Sequence, residues 1–196
     1  MPFQPDSPTG VETGRKNTSA MNPQTGNKSP QVTLQHVERE DITEIVQMAE
    51  KIWREHFPGI ISDEQIDYML VKLYSPGVIS QELESGQAEY YFILDEERHV
   101  GFCSFGPSAK EAEMKLHKLY VLPQYQRNGF GNSALNCLEQ LCRKQGFDIL
   151  TLAVNKNNSS AIHAYHSRGF FIEEAVAVDI GEGFIMDDYI MKKRLC

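Results

Sequence analysis

The stretch from Leu119 to Gly131, reading LYVLPQYQRNGFG, constrains the fold more than any other part of the chain. An apolar run of strand type ends at Val121. A turn carrying Pro123 follows, and two glycines in Gln126-Arg127-Asn128-Gly129-Phe130-Gly131 stand directly before a helical pattern. A strand, a glycine-containing loop and a helix N-terminus in that order form an anion site. Backbone N–H groups lack intrahelical partners there, and the helix dipole adds fractional positive charge. Glycines let phosphates approach the backbone with no Cβ in the way. A phosphate-bearing ligand is therefore expected. A P-loop would need Gly-Lys-Ser/Thr, which is missing, and a dinucleotide fingerprint would need glycine where Gln126 stands.

A second segment lies downstream. Ile149 to Val154 is a short apolar strand candidate leading into Asn155-Lys156-Asn157-Asn158. Ser159 to Tyr165 then reads as a helix, ended near Arg168-Gly169-Phe170. Asn158 suits a helix cap and Gly169 a helix terminator. Together, Gln-x-x-Gly-x-Gly after a strand and Asn-x-x-Ala-x-x-x-Tyr-x-x-x-Gly-Phe after the next resemble the two cofactor segments of the GCN5-related N-acetyltransferases. The resemblance spans roughly Val32 to Leu195, with its specific motifs between Leu116 and Phe170.

Bulk properties agree. A chain of 196 residues suits one well-buried domain. Residues 1–30 hold five of the nine prolines and show no hydrophobic periodicity, so a disordered tail is expected there, with the domain over 31–196. No window approaches the roughly 20 apolar residues of a membrane span. Cys103, Cys137, Cys142 and Cys196 form no Cys-x-x-Cys pair, and no histidine spacing suggests a metal site. Free thiols of this kind fit a reducing cytoplasm. A formal charge of −8 argues against a nucleic-acid partner and is compatible with a cationic substrate.

Asp41-Ile42-Thr43-Glu44 reads as a capping box, followed by apolar residues at helical spacing from Ile42 to Trp53. A second helix is expected from Ser62, and a short third from Ser75-Pro76 through Leu83. Strands follow at Tyr90–Leu94, Val100–Phe105 and Met114–Val121. Then come a helix over Gly129–Gln145, the strand from Ile149, the helix Ser159–Ser167, and closing strands Phe171–Ile180 and Phe184–Lys193. With a first strand at Val32–Val37, the main order is β, α, α, β, β, β, α, β, α, β, β. This predicts an α/β fold with a mixed, mostly antiparallel central sheet flanked by helices. The strand–helix–strand crossover in its middle should be right-handed and parallel.

The resemblance implies an acetyl-coenzyme A-dependent N-acetyltransferase whose two parallel strands splay apart, with pantetheine bonded to the open edge at Leu119 and Val121. Gln126, Arg127, Asn128, Gly129 and Gly131, extended by the N–H groups of Asn132 and Ser133, would hold the pyrophosphate, and Asn158 belongs to the second cofactor segment. Arg127 either adds charge to the phosphates or is solvated. Tyr165 would protonate the departing thiolate, or else is a half-buried helix aromatic. Where relatives often carry a glutamate, this chain has Glu113, Lys115 and His117 at alternate positions of one strand. His117 is the better proton acceptor by its ordinary pKa of about 6.5, or else a cleft histidine with no proton role. Trp53, Phe57, Tyr68, Tyr74, Tyr120 and Tyr189 are candidates to line an acceptor pocket, with Asp187 and Asp188 placed to hold a second amine. The expected acceptor is a small primary amine, with polyamines suggested by a loose likeness around Trp53 to Met69. A protein α-amine or lysine, or a non-catalytic acetyl-coenzyme A module, are the alternatives. Homodimers are frequent in the family.

Overall fold

The computed structural model describes residues 30–195. The tail expected over 1–30 lies, apart from Pro30, outside them, as does Cys196. The elements are β1 (Thr33–His36), α1 (Ile42–His56), α2 (Asp63–Tyr74), α3 (Pro76–Ser85), β2 (Glu89–Asp95), β3 (Arg98–Pro107) and β4 (Glu113–Val121). They continue with α4 (Phe130–Lys144), β5 (Ile149–Asn155), α5 (Ser159–Ser167), β6 (Phe171–Gly181) and β7 (Phe184–Arg194). One seven-stranded sheet runs in the order β1-β2-β3-β4-β5-β7-β6. All neighbours are antiparallel except β4 and β5. The expected α/β architecture is therefore the observed one, and the short third helix is a full element of ten residues. No described helix is long and apolar enough to cross a membrane.

Two apolar layers sandwich the sheet. On one face α1 buries Ile42, Ile45, Met48, Ala49, Ile52 and Trp53, the i, i+3, i+4, i+7 stripe of an amphipathic helix. These pack with Ile66 and Met69 of α2, Ile79 of α3, and Tyr90, Phe92 and Phe102 of the sheet. On the other face Phe130, Ala134, Leu135, Leu138 and Cys142 of α4 meet Phe105, Met114, Leu116, Leu150, Leu152 and Met191. Strand β3 is buried on both sides, which explains its nearly unbroken apolar run.

Helix starts follow local chemistry, with one exception. Ser62 Oγ accepts the Gln65 N–H at 3.2 Å, and Asn158 Oδ1 accepts the Ala161 N–H at 3.3 Å, so both act as caps. The capping box expected at Asp41–Glu44 does not form. Asp41 instead accepts the Glu38 N–H at 2.9 Å and closes a 3₁₀ turn over Arg39–Asp41 that leads into α1. Glu44 is drawn away by a distant partner, His99, at 2.7 Å.

Two irregularities position the site. Pairing of β4 with β5 covers Glu113–Leu116 against Ile149–Leu152 and then stops, leaving the second half of β4 open on that edge. In addition β4 carries one residue more than β3: Ser104 faces Lys118 while Phe105 faces Leu116, so His117 forms a bulge. The bulge reverses the alternation. Before it, Met114 and Leu116 face the α4–α5 layer. After it, Leu119 and Val121 do so, and Lys118 and Tyr120 face the α1–α3 layer. Glu113, Lys115 and His117 thus keep the common face expected of them, and the bulge adds Lys118 to it.

Candidate active site

The open edge of β4 is the meeting line of two cavities. The larger, about 550 Å³, lies between the α1–α3 layer and the splayed strands. The smaller, about 270 Å³, lies at the start of α4. Both are lined by Leu119, Val121, Gln126, Ala161, Ala164 and Tyr165, so these residues form the passage between them.

The smaller cavity lies at the glycine loop, where an anion cradle is expected. A 3₁₀ turn over Pro123–Tyr125 carries the chain out of β4. Arg127 then adopts a left-handed backbone (φ +62°), and Gly129 caps α4 in the same region (φ +87°). That conformation costs Arg127 energy that glycine would not incur. Arg127, Gly129, Gly131 and Asn132 all face the cavity, together with Arg168 from the end of α5. Gly131 is informative. Its φ is ordinary, and an added Cβ would meet only Val121 Cγ2, at 3.7 Å. Neither backbone strain nor packing within the chain calls for a glycine there, and the space it leaves is what a phosphate would need to approach the backbone.

Two of the expected loop residues are placed otherwise. The Ser133 N–H is already donated to the Gly129 carbonyl at 3.0 Å and the residue is buried, so the unpaired N–H groups are those of the turn before it. The Asn128 side chain donates to the Tyr125 carbonyl at 3.3 Å and lines neither cavity. Gln126 stays at the passage, its Nε2 donating to the Val121 carbonyl at 3.1 Å. Asn158 lines the larger cavity, buried, with its Nδ2 at 3.2 Å from His56 Nε2, tying α5 to α1 across the splay.

The larger cavity has an aromatic wall of Trp53, Phe57, Tyr74 and Tyr120; Trp53 and Phe57 stack at 4.2 Å between ring centroids. Tyr68 and Tyr189, expected beside them, do not line it. Tyr68 lies at the α2–β6 contact, donating to the Ile180 carbonyl, and Tyr189 points to the other face of β7 under Lys156. Alternation on β7 also splits the acidic pair: Asp187 is exposed and ion-paired with Lys156, whereas Asp188 is buried and faces the cavity.

Charge in the cavity is unevenly balanced. Lys118, almost wholly buried, donates to Glu82 at 2.8 Å, and Glu82 also accepts from Tyr90 Oη at 2.5 Å. Sequence patterns do not reveal Glu82 and Lys118, because they lie 36 residues apart and meet only through α3. His117 opens to the cavity. Burial first, then Lys115 and Lys118, push its pKa down to about 4, so the ring is neutral at pH 7. Tyr165 is half-buried at the passage, its phenol raised by burial first and by Tyr120 second.

Comparison with known proteins decides the family. The model of the acetyltransferase (GNAT) family matches residues 44–170. The chain belongs to that family. Spermidine N(1)-acetyltransferase of Thermoplasma acidophilum is 25% identical over 160 residues, covering 80% of this chain and 96% of that protein. Among solved structures, the PaiA N-acetyltransferase of T. acidophilum in complex with coenzyme A superposes with a TM-score of 0.69 at 22% identity, over 83% of this chain and 98% of that one. A GCN5-related N-acetyltransferase from Rhodopseudomonas palustris gives a TM-score of 0.71 at 20% identity, over 85% and 98%. Both glycine-loop and tyrosine segments of this GNAT chain fall within the matched residues, and β6 and β7 lie beyond them.

Proposed function

We propose that the protein transfers the acetyl group of acetyl-coenzyme A to a primary amine of a small molecule, by direct attack in a ternary complex, with polyamines the first class to test. The observation that carries this reading is the junction of an anion cradle with a separate aromatic and acidic cavity at Tyr165. The cofactor supplies an activated thioester. The free N–H groups at Gly129 to Asn132, with Arg127 beside them, hold its pyrophosphate, and the open edge at Leu119 and Val121 binds its pantetheine. A backbone N–H at the end of β4 meets the thioester oxygen as charge develops. Tyr165 supplies the proton for the leaving sulfur.

A small acceptor is favoured over a peptide because α2 is bonded to the β6–β7 hairpin beside the cavity. Ile180 is an extra residue at the irregular end of the β6–β7 pairing, so its carbonyl is free to accept from Tyr68 Oη and Lys72 Nζ of α2. Gln65 Nε2 of α2 adds a bond to the Ile185 carbonyl at 3.1 Å. The likeness to a spermidine N(1)-acetyltransferase supports the same reading.

The test is release of free thiol from acetyl-coenzyme A with a panel of polyamines, monoamines, amino acids and peptides. Release confined to peptides would overturn the small-amine assignment. The cradle has its own test. Gly131→Ala adds a methyl that the fold accommodates but that stands where phosphate would approach. Calorimetry should show acetyl-coenzyme A binding weakened by about tenfold, roughly one lost charge-assisted hydrogen bond. The melting temperature should be unchanged, and intact affinity would remove Gly131 from the cradle.

A further inference from the structure

We infer that Asp188 is the proton acceptor for the reacting amine, an assignment that rests on the acetyl-transfer reading above. Asp188 is 5% exposed and lines the larger cavity. Its neighbour Asp187 has Lys156 on the opposite face, and Asp188 itself makes no side-chain hydrogen bond or ion pair with any described residue. A largely buried carboxylate that no side chain pairs with, open to the cavity, is a natural receiver for a cation or a proton arriving there. An amine arriving as its ammonium ion brings both.

The other groups facing the cavity are unsuited to the task. Glu82 is held at Oε2 by Lys118 at 2.8 Å and by Tyr90 at 2.5 Å, and the Lys118 ammonium neutralises its charge. The His56 ring faces the Asn158 side-chain amide at 3.2 Å. His117 stands next to Lys115 on the same face of β4, a cation that repels an approaching ammonium. Tyr74, Tyr120 and Tyr165 carry phenols that all stay protonated at neutral pH, as burial raises each. Asp188 is the uncompensated anion of this surface among the described residues. Burial first, and Asp187 second, raise its pKa, with Lys156 opposing, so it also holds a transferred proton more readily than an exposed aspartate.

Protons and bonds balance across the step. Asp188 Oδ takes one proton from the ammonium and later gives it to solvent. The freed lone pair on nitrogen forms the bond to the acetyl carbon, and the carbon–sulfur bond breaks. Sulfur takes the Tyr165 phenolic proton, and the second proton on nitrogen returns to the phenolate. One proton is released per amide formed.

The test is Asp188→Asn against wild type, with a polyamine acceptor, at pH 7 and pH 9.5. At saturating amine and pH 7, kcat should fall about 100-fold, within the span of general-base effects. The deficit should narrow at least tenfold at pH 9.5, where solution supplies more neutral amine. Acetyl-coenzyme A affinity should hold. A carboxyl with a raised folded-state pKa ionises at a cost to folding as pH rises through its window, so the variant should melt no lower than wild type at pH 7. Asp188→Glu should recover part of the lost turnover. A kcat within threefold of wild type, or a deficit equal at both pH values, overturns the assignment. A rise confined to KM would make Asp188 a holding group and overturn it equally. A wild-type protein inert toward every amine overturns the transfer reading itself, whereas wild-type turnover with an unaffected variant overturns this inference alone.

Discussion

Tyr165→Phe will lower kcat by about 10³-fold and leave the binding of acetyl-coenzyme A nearly intact. The size follows from general-acid catalysis, which contributes roughly 10²- to 10⁴-fold where a positioned proton is required in the transition state. The selectivity for kcat follows from position. Tyr165 stands at the passage between the cavities, while Gly129, Gly131 and Asn132 line only the cradle. The ring is packed at 5.4 Å from Phe170, and phenylalanine keeps that contact, so stability should not change. The pH dependence has a definite sign. Burial raises the phenol above its ordinary value of 10, so the proton is retained across the range in which aliphatic amines lose theirs. The wild-type rate should therefore rise with pH through about 9 and show no descending limb from Tyr165 there. Steady-state kinetics at saturating cofactor decide the matter, and a kcat within threefold of wild type would remove the tyrosine from the chemistry.

Gly101→Ala will destabilise the protein by about 3 kcal/mol, the upper end for overpacking. The reason is not conformational freedom, since its φ is ordinary. A Cβ at this position would lie 2.1 Å from the Tyr120 carbonyl oxygen and 2.9 Å from the Val121 Cα. Backbone atoms in a paired strand cannot yield as a flexible side chain can, so β3 and β4 must separate. Gly101 also follows an irregularity in β2–β3 pairing, where Leu94 faces His99 and Ile93 faces Gly101. Tyr120 lines the larger cavity and Val121 both cavities, so cofactor affinity should fall along with stability. Gly77→Ala is the control: it lies in α3 with nothing within 4 Å of the added methyl, and should be neutral. Urea unfolding of both variants measures the difference. A Gly101 variant as stable as the Gly77 one would mean that the strands can shift freely.

Much of this arrangement is legible in the residues. Apolar periodicity places every helix and strand, and the glycine loop and the Asn158–Gly169 segment mark the cradle and the passage. These are local signals, written within ten or fifteen residues. The larger cavity is not local. Glu82 reaches Lys118 through α3, which the residue pattern marks only as a short piece, and Asp188 separates from Asp187 only because β7 alternates beside β5. The bulge at His117 carries no residue signature. The strand simply contains one residue more than its partner, so straight alternation carried through it puts Lys118 to Val121 on the wrong faces. Asp41 shows the same limit at a helix end, where Glu44 is bonded to His99 from 55 residues away.

That single surplus residue gives β4 two parities, and the site depends on the register around it more than on the imidazole that supplies it. Substituting His117 leaves the register intact. Deleting it would leave Lys118 opposite Ser104 and Leu116 opposite Phe105, so β4 would alternate without a break and its later residues would keep their faces. What would turn the strand over is a straight register that pairs His117 itself with Ser104. Lys118 and Tyr120 would then be driven toward α4 and α5, and Leu119 and Val121 toward α1 and α3. Glu82 would lose its cation, and the larger cavity would exchange its aromatic wall for an aliphatic one.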